Sequence, residues 1–417
     1  MPGRFSSDGE PGHRAPWPAS VPSSGPVKYV VCVPDGCADE PDERLGGRTP
    51  LEVAHTPVLD ALARRGAVGR AGVIPEGLPP GSDVGNLAIL GYDPAVHHTG
   101  RAPIEAAALG LCLDADHIAF RCNLVTVGDD GTMVDFAGGH PDSAAAAAVI
   151  ADLDATLGAR SWCLDGHEGR VSFHAGVQYR HTLVAPAAWA EVECVPPHDL
   201  TGQPARAPRG PAAEPVRALM EASREVLARH PEVAATQIWL WGQGPQPRLE
   251  PFRSRWGIEA GMVTAVDLVR GLGVLTQMTV VEVEGATGWY DTDYEAKRDA
   301  ALEHLAGGLD LFVIHVEASD EAGHAGDVDE KIRALENWDR RILAGLVEGL
   351  DALGPWRLLL LPDHATPLRL RTHTSDPVPY LLVDSTVDGP GGVYSERGVA
   401  DRPLVAGHEL MGRLLDR

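Results

Sequence analysis

Three runs of apolar residues along the chain stop abruptly on an acid: Val27 to Asp35 (VKYVVCVPD), Leu311 to Asp320 (LFVIHVEASD) and Leu358 to His364 (LLLLPDH). A short continuous apolar run predicts a strand buried on both faces, as in a parallel sheet. In open α/β sheets the strand carboxyl ends line the ligand crevice, which puts Asp35, Asp320 and Asp363 on one rim. His364, His324 and His373 follow closely enough to join them. Three buried aspartates without cations would repel one another, so the pattern asks for metal.

Between these runs, Thr56-Pro57 followed by VLDALARRG predicts a helix with Thr56 as N-cap, proline at its first position and Gly66 at its end. GLPPGSDVGNLAILGYDP then predicts a turn and a second helix ending near Gly91. Ser82 stands where that helix begins. It reads either as a plain N-cap or as a nucleophile at a helix N-terminus, where free N–H groups favour phosphate. From about residue 100 the texture changes. AFRCNLVTVG, GRVSFHAGVQYRHTLV and ATQIWLWGQG read as strands, whereas Asp142 to Leu157 and Pro215 to His230 read as helices. Asp327 to Leu353 reads as one long amphipathic helix.

The predicted class is α/β: a mostly parallel sheet with helices on both faces, plus an inserted smaller α/β lid domain. Its parts are 1–26, a disordered Pro/Gly/Ser-rich extension; 27–100 and 256–417, the two portions of the main domain; and 101–255, the insert. A net charge of −24 argues against nucleic acid and against an anionic membrane surface. No apolar stretch approaches the ~18 residues of a membrane span, and no hydrophobic signal core is present. The six cysteines show no CxxC spacing, which predicts reduced thiols in a cytoplasmic enzyme.

Asp320-x-x-x-His324 puts two donors one helical turn apart if that segment is helical, and Asp363-His364 adds two from adjacent positions. With His373, Asp35 and Ser82 the set suits two divalent ions with open positions. Mixed carboxylate and imidazole ligation fits Mn²⁺, Zn²⁺ or Mg²⁺ and, lacking cysteine, is no structural zinc site. Two ions ~3.5–4 Å apart would clamp a phosphoryl group and activate Ser82 as nucleophile.

Several long motifs in fixed order carry a resemblance that runs from about Val27 to the C-terminus. Among them are PDG at Pro34–Gly36, TPLEVAHTPVLDALA, PPGSDVGNLAILGYDP, GATGWYDTDYEAK, VEASDEAGHAGD and LPDHATP with RTHTSDPVPYLL. The sequence resembles the 2,3-bisphosphoglycerate-independent phosphoglycerate mutases, archaeal-type branch, within the alkaline phosphatase superfamily. The resemblance implies that Asp35, Ser82, Asp363 and His364 hold one metal, and that Asp320, His324 and His373 hold the other. It implies two divalent ions, Mn²⁺ first, with Mg²⁺, Zn²⁺ or Co²⁺ as alternatives. Ser82 would be transiently phosphorylated while a small phosphorylated substrate reorients under the lid, interconverting 2- and 3-phosphoglycerate.

An anionic substrate needs cationic partners, for which Arg101, Arg121, Arg180 and Lys297 are candidates; His140 is a candidate acid or base. One departure stands out. Where the archaeal-type enzymes carry an Arg-Gly motif, this chain reads Trp239-Leu240-Trp241-Gly242-Gln243-Gly244, leaving Arg248 or Arg253 to substitute. That version resembles a bacterial subgroup proposed to include an unusual homoserine kinase. A homoserine kinase using ATP and a phosphomonoesterase are therefore the alternative activities.

Overall fold

The computed structural model describes residues 26–164 and 167–416. The extension expected to be disordered lies outside them, except for its last residue. In chain order the strands are β1 (Lys28–Pro34), β2 (Ala67–Gly72), β3 (His117–Val127), β4 (Met133–Asp135), β5 (Trp162–Leu164), β6 (His167–Gly169), β7 (Ser172–His174) and β8 (Arg180–Pro186). They continue with β9 (Gln237–Gly244), β10 (Ala260–Val263), β11 (Thr279–Val281), β12 (Leu311–Val316), β13 (Trp356–Leu360), β14 (Val378–Asp384) and β15 (Leu404–Ala406).

An eight-stranded sheet runs β11-β10-β12-β1-β13-β14-β2-β15. Every neighbouring pair is parallel except those made by β14, which opposes both β13 and β2. The apolar runs are continuous because successive side chains feed different cores. On β1, Val31 and Val33 pack on one face of the sheet while Val30 and Cys32 pack on the other. Leu359 and Leu361 share the first face, Leu358 and Leu360 the second. Each such fully buried Val or Leu contributes about 1.5–3 kcal/mol, so helices must cover both faces.

β3, β4, β7, β8 and β9 form a separate antiparallel sheet with its own apolar core. Two helices, Ser143–Leu153 and Ala213–Leu227, contribute to that core. The junction with the larger sheet is packed rather than loose. In the helix Ala102–Ala108, Ile104 belongs to the large-sheet core, whereas Ala102 and Ala106 pack on Ala119 of β3.

Two helix expectations need correction. The segment read as one helix from Asp327 to Leu353 contains a π-helical turn, Trp338–Leu343, between α-helices Val328–Asn337 and Ala344–Leu353. That turn carries Asp339, whose buried carboxylate accepts hydrogen bonds from the N–H groups of Leu59 (2.7 Å) and Val58 (3.3 Å). Asp339 thus serves the N-terminus of the helix Pro57–Arg65. Thr56, expected as the cap there, occupies the position but makes no side-chain cap bond.

Candidate active site

Ser82 opens the helix Ser82–Ile89, whose residues are all buried. It is not the N-cap: Gly81 holds that place, and the Ser82 hydroxyl makes no cap bond. Instead its Oγ lies 3.2 Å from Nε2 of His364. Two residues fasten this helix to the chain leaving β13. Asn86 donates to the Ser82 carbonyl (3.0 Å) and to Asp363 Oδ2 (2.7 Å). Gly85 lets the helix backbone approach so closely that a Cβ there would lie 2.0 Å from the Asp363 carbonyl oxygen.

The tips of β12, β1 and β13 are adjacent because β1 pairs with both of the others. Asp35 follows β1 directly, and Gly36 then turns at φ +59°, a left-handed conformation. A side chain at 36 would strike Asp320 and Thr366. Asp363 and His364 follow β13 and are wholly buried. Asp320 reaches the group differently from the expected strand tip: it sits in the first turn of the helix Ala318–Ala325, one turn before His324. His324 Nε2 is 3.2 Å from Asp320 Oδ2, and His373 Nε2 is 3.5 Å from Asp320 Oδ1. The His364 and His373 rings stack with centroids 3.9 Å apart.

These positions bring all seven expected donors together. Their electrostatics are those of a site built for cations. Burial together with Asp363 and Asp320 pushes the Asp35 carboxyl well above its usual range. Burial pushes His364 down to about 4, favouring the neutral imidazole that a metal needs. His364 Nε2 stands 3.5 Å from Asp35 Oδ1 and 3.7 Å from Asp363 Oδ2. Those gaps are long for hydrogen bonds but near the ~3.4 Å edge of a tetrahedron with ~2.1 Å bonds. Asp35 Oδ1 is buried without a hydrogen-bond partner. Asp320–His324–His373 and Asp35–Asp320–His364 are each close enough to share an ion, and Asp35–His315–Asp363 forms a third such group. The donors therefore fit divalent metal.

The sequence reading passed over His315 and Glu317. Both are buried. His315 Nε2 lies 3.5 Å from Asp35 Oδ2, and its Nδ1 lies 3.1 Å from Glu317 Oε1. Glu317 Oε2 in turn accepts from Lys297 Nζ at 2.7 Å. Burial pushes the Glu317 carboxyl up, but Lys297 and His315 outweigh it and bring it down to about 2. The signal was present in IHVEAS: a histidine within an otherwise apolar strand and an acid directly after its end.

Comparison with known proteins decides the family. A family model described as 2,3-bisphosphoglycerate-independent phosphoglycerate mutase matches residues 63–232. A protein of that name from Methanothermobacter thermautotrophicus is 46% identical over 412 residues, 94% of this chain and 98% of its own. One from Methanosarcina acetivorans is 42% identical over 406 residues, covering 93% of this chain and 100% of its own. The chain belongs to the 2,3-bisphosphoglycerate-independent phosphoglycerate mutase family. Its fold follows a solved structure from Pyrococcus horikoshii, with TM-score 0.74 and 27% identity over 94% of this chain and 97% of that one. It also follows a cofactor-independent phosphoglycerate mutase from Thermoplasma acidophilum, with TM-score 0.58 and 24% identity over 93% and 99%.

The cations expected to grip substrate in this mutase-family chain fall into two sets. Arg101 and Arg121 lie against the two oxygens of Glu105, at 3.0 and 2.9 Å. Arg101 follows by three residues His98, whose Nε2 is 2.8 Å from Oδ2 of Asp83 beside Ser82, while Arg180 is exposed at the start of β8. Lys297 is different and needs correction. It is fully buried, with Nζ bonded to Glu317 and to the His315 carbonyl at 3.0 Å, so it backs the metal carboxylates instead of facing substrate. His140, the candidate acid or base, is exposed at φ +50°, its ring edge-on to Tyr179 at 5.4 Å. Neither Arg248 nor Arg253 replaces the missing Arg-Gly motif: both are exposed, and Arg253 pairs with Glu259.

Proposed function

We propose that this protein is a metal-dependent mutase interconverting 2-phosphoglycerate and 3-phosphoglycerate through phosphoserine at position 82. The observation that carries the reading is the Ser82 hydroxyl standing at a helix N-terminus, 3.2 Å from His364, inside a cluster of metal donors. Asp35, Ser82, Asp363 and His364 would hold one divalent ion; Asp320, His324 and His373 would hold the second, with Mn²⁺ the first candidate. When bound, the ions neutralise phosphoryl charge and lower the proton affinity of the Ser82 hydroxyl.

Ser82 Oγ forms a bond to phosphorus as the bond to the C3 oxygen of the glycerate breaks. The Ser82 proton leaves, and the departing oxygen takes one up. The freed glycerate turns, its C2 hydroxyl attacks the phosphoserine, and Ser82 regains its proton. Throughout, the arginines hold the carboxylate by paired N–H groups. Residues 101–255 form the lid in this reading, keeping water from the phosphoserine so that transfer outruns hydrolysis. Such an enzyme works on a small phosphorylated substrate in the cytoplasm.

The test is a coupled assay with 3-phosphoglycerate, run beside homoserine plus ATP and beside a plain phosphomonoester. Turnover of 3-phosphoglycerate well above the other two is expected. Homoserine phosphorylation without mutase turnover would replace the reading with the kinase, and release of inorganic phosphate alone would replace it with a phosphatase.

A further inference from the structure

Within the stretch Trp239–Gly244, Trp241 lies against both Arg101 and Arg121. It stands opposite Arg121 in the β3–β9 ladder, beside a register shift between Ala119 and Arg121. Directly opposed residues point to the same face, and a bulge re-aims the side chain next to it. The Arg121 guanidinium accordingly lies over the indole, 4.6 Å from the ring centroid, with Arg101 at 5.9 Å. The indole is itself fixed, its Nε1 donating to Asn123 Oδ1 at 3.1 Å.

Glu105 completes the holder. One carboxylate oxygen lies 3.0 Å from Arg101 Nε and the other 2.9 Å from Arg121 Nε. Arg101 Nε donates to Glu105, whereas Arg121 Nε is buried beside the same carboxylate without a hydrogen bond. The charges of Arg101 and Arg180 act on Arg121, opposed there by Glu105, which with Asp83 also offsets the charge of Arg101. A buried cation without full compensation is an anion receptor in waiting. The ring of His198 meets Trp241 edge-on at 5.3 Å, and three residues before Arg101, His98 Nε2 lies 2.8 Å from Asp83 Oδ2, next in the chain to Ser82.

We propose that Trp241 and Glu105 are positioning residues that form a cradle, presenting the terminal nitrogens of Arg101 and Arg121 as a bidentate receptor for the substrate carboxylate. The identity of the carboxylate as that of phosphoglycerate rests on the functional reading above. The cradle itself rests on the geometry. An aromatic plate and one acid set the spacing of two arginines supplied by other elements.

The experiment compares Trp241→Leu, Trp241→Phe and Glu105→Gln with wild type. Each is measured for KM and kcat with 3-phosphoglycerate, for its binding by calorimetry on the metal-loaded protein, and for metal content and Tm. Trp241→Leu and Glu105→Gln should weaken binding and raise KM about tenfold, the scale of a desolvated cation–π contact. Their kcat should fall by less than about threefold. Trp241→Phe, which keeps an aromatic face, should recover most of the loss; the metal content of all three should match wild type, while both Trp241 variants lose some Tm with the buried indole and its bond to Asn123. KM and affinity left at wild-type values in Trp241→Leu would overturn the cradle, as would a fall in kcat alone or equal losses in the Leu and Phe variants. Wild type that binds 3-phosphoglycerate without isomerising it would sink the mutase reading and leave the cradle to be judged by the affinity ratios. Wild type that does not bind it overturns both.

Discussion

Gly85→Ala offers the sharpest check on the placement of Ser82. The new methyl carbon would lie 2.0 Å from the Asp363 carbonyl oxygen and 2.9 Å from its Cβ. Ordinary contact needs ~3.4 Å, so the helix Ser82–Ile89 must retreat by roughly 1.4 Å, since its obstacle is backbone between two metal donors. Ser82 lies one turn away on the same helix and must move with it, lengthening the 3.2 Å approach to His364. A displacement of about 1 Å at a reacting atom costs on the order of 10²-fold in rate. Stability moves less, because two effects oppose. Overpacking costs about 1–3 kcal/mol, while exchanging glycine for alanine in a helix returns roughly 0.5–1 kcal/mol. The expected result is a hundredfold loss of kcat in the coupled mutase assay, with a Tm drop of only roughly 2–6 °C. A Gly85→Ala protein retaining kcat within a few-fold of wild type would refute the argument that this glycine sets the helix against Asp363.

Other expectations concern the same cluster. Ser82→Ala should abolish transfer and ³²P labelling of the protein while metal content, read by elemental analysis, stays near wild type. Chelation with EDTA should inactivate the enzyme and Mn²⁺ should restore it; activity indifferent to metal removal would contradict the donor assignment. Lys297→Met should leave Glu317 buried without its cation and lower unfolding stability by about 3–5 kcal/mol, measured by urea denaturation at pH 7. Because the Glu317 carboxyl sits at about 2 rather than 4.5, its stabilisation is complete above pH 4.5 and drains as pH falls toward 2. Glu317→Gln should therefore flatten that part of the acid-unfolding curve, and an unchanged slope would mean the pair does not govern it.

Much of this could be read from the chain because β1, β12 and β13 each declare themselves twice, as an apolar run and as an acid soon after it. Val30 to Val33 feed cores on both sheet faces, leaving no polar alternation to blur the pattern. The difficulties came where a polar group serves a distant partner. Asp339 looks like a surface residue of an amphipathic helix, yet its carboxylate serves a helix some 280 positions earlier. Lys297, in a tyrosine- and acid-rich motif, reads as a substrate cation until Glu317 is seen beside it. Ser82 was ambiguous on local grounds, since cap and nucleophile share one position; the register of Gly81 removes the cap reading. Trp241 was visible as a departure, but its use depended on a cross-strand pairing with Arg121.

The position of β1 has a consequence for how the enzyme comes into being. Its neighbours in the sheet, β12 and β13, are joined to it by parallel pairing across roughly 280 and 330 residues of intervening chain. Asp35 thus leaves the ribosome long before Asp320, Asp363 or His373, and the intervening residues can collapse around their own apolar core first. A nascent fragment ending ahead of β13 lacks Asp363, His364 and His373, so loading of the proposed metal site would await their emergence. The cell is thereby spared a half-made phosphotransferase.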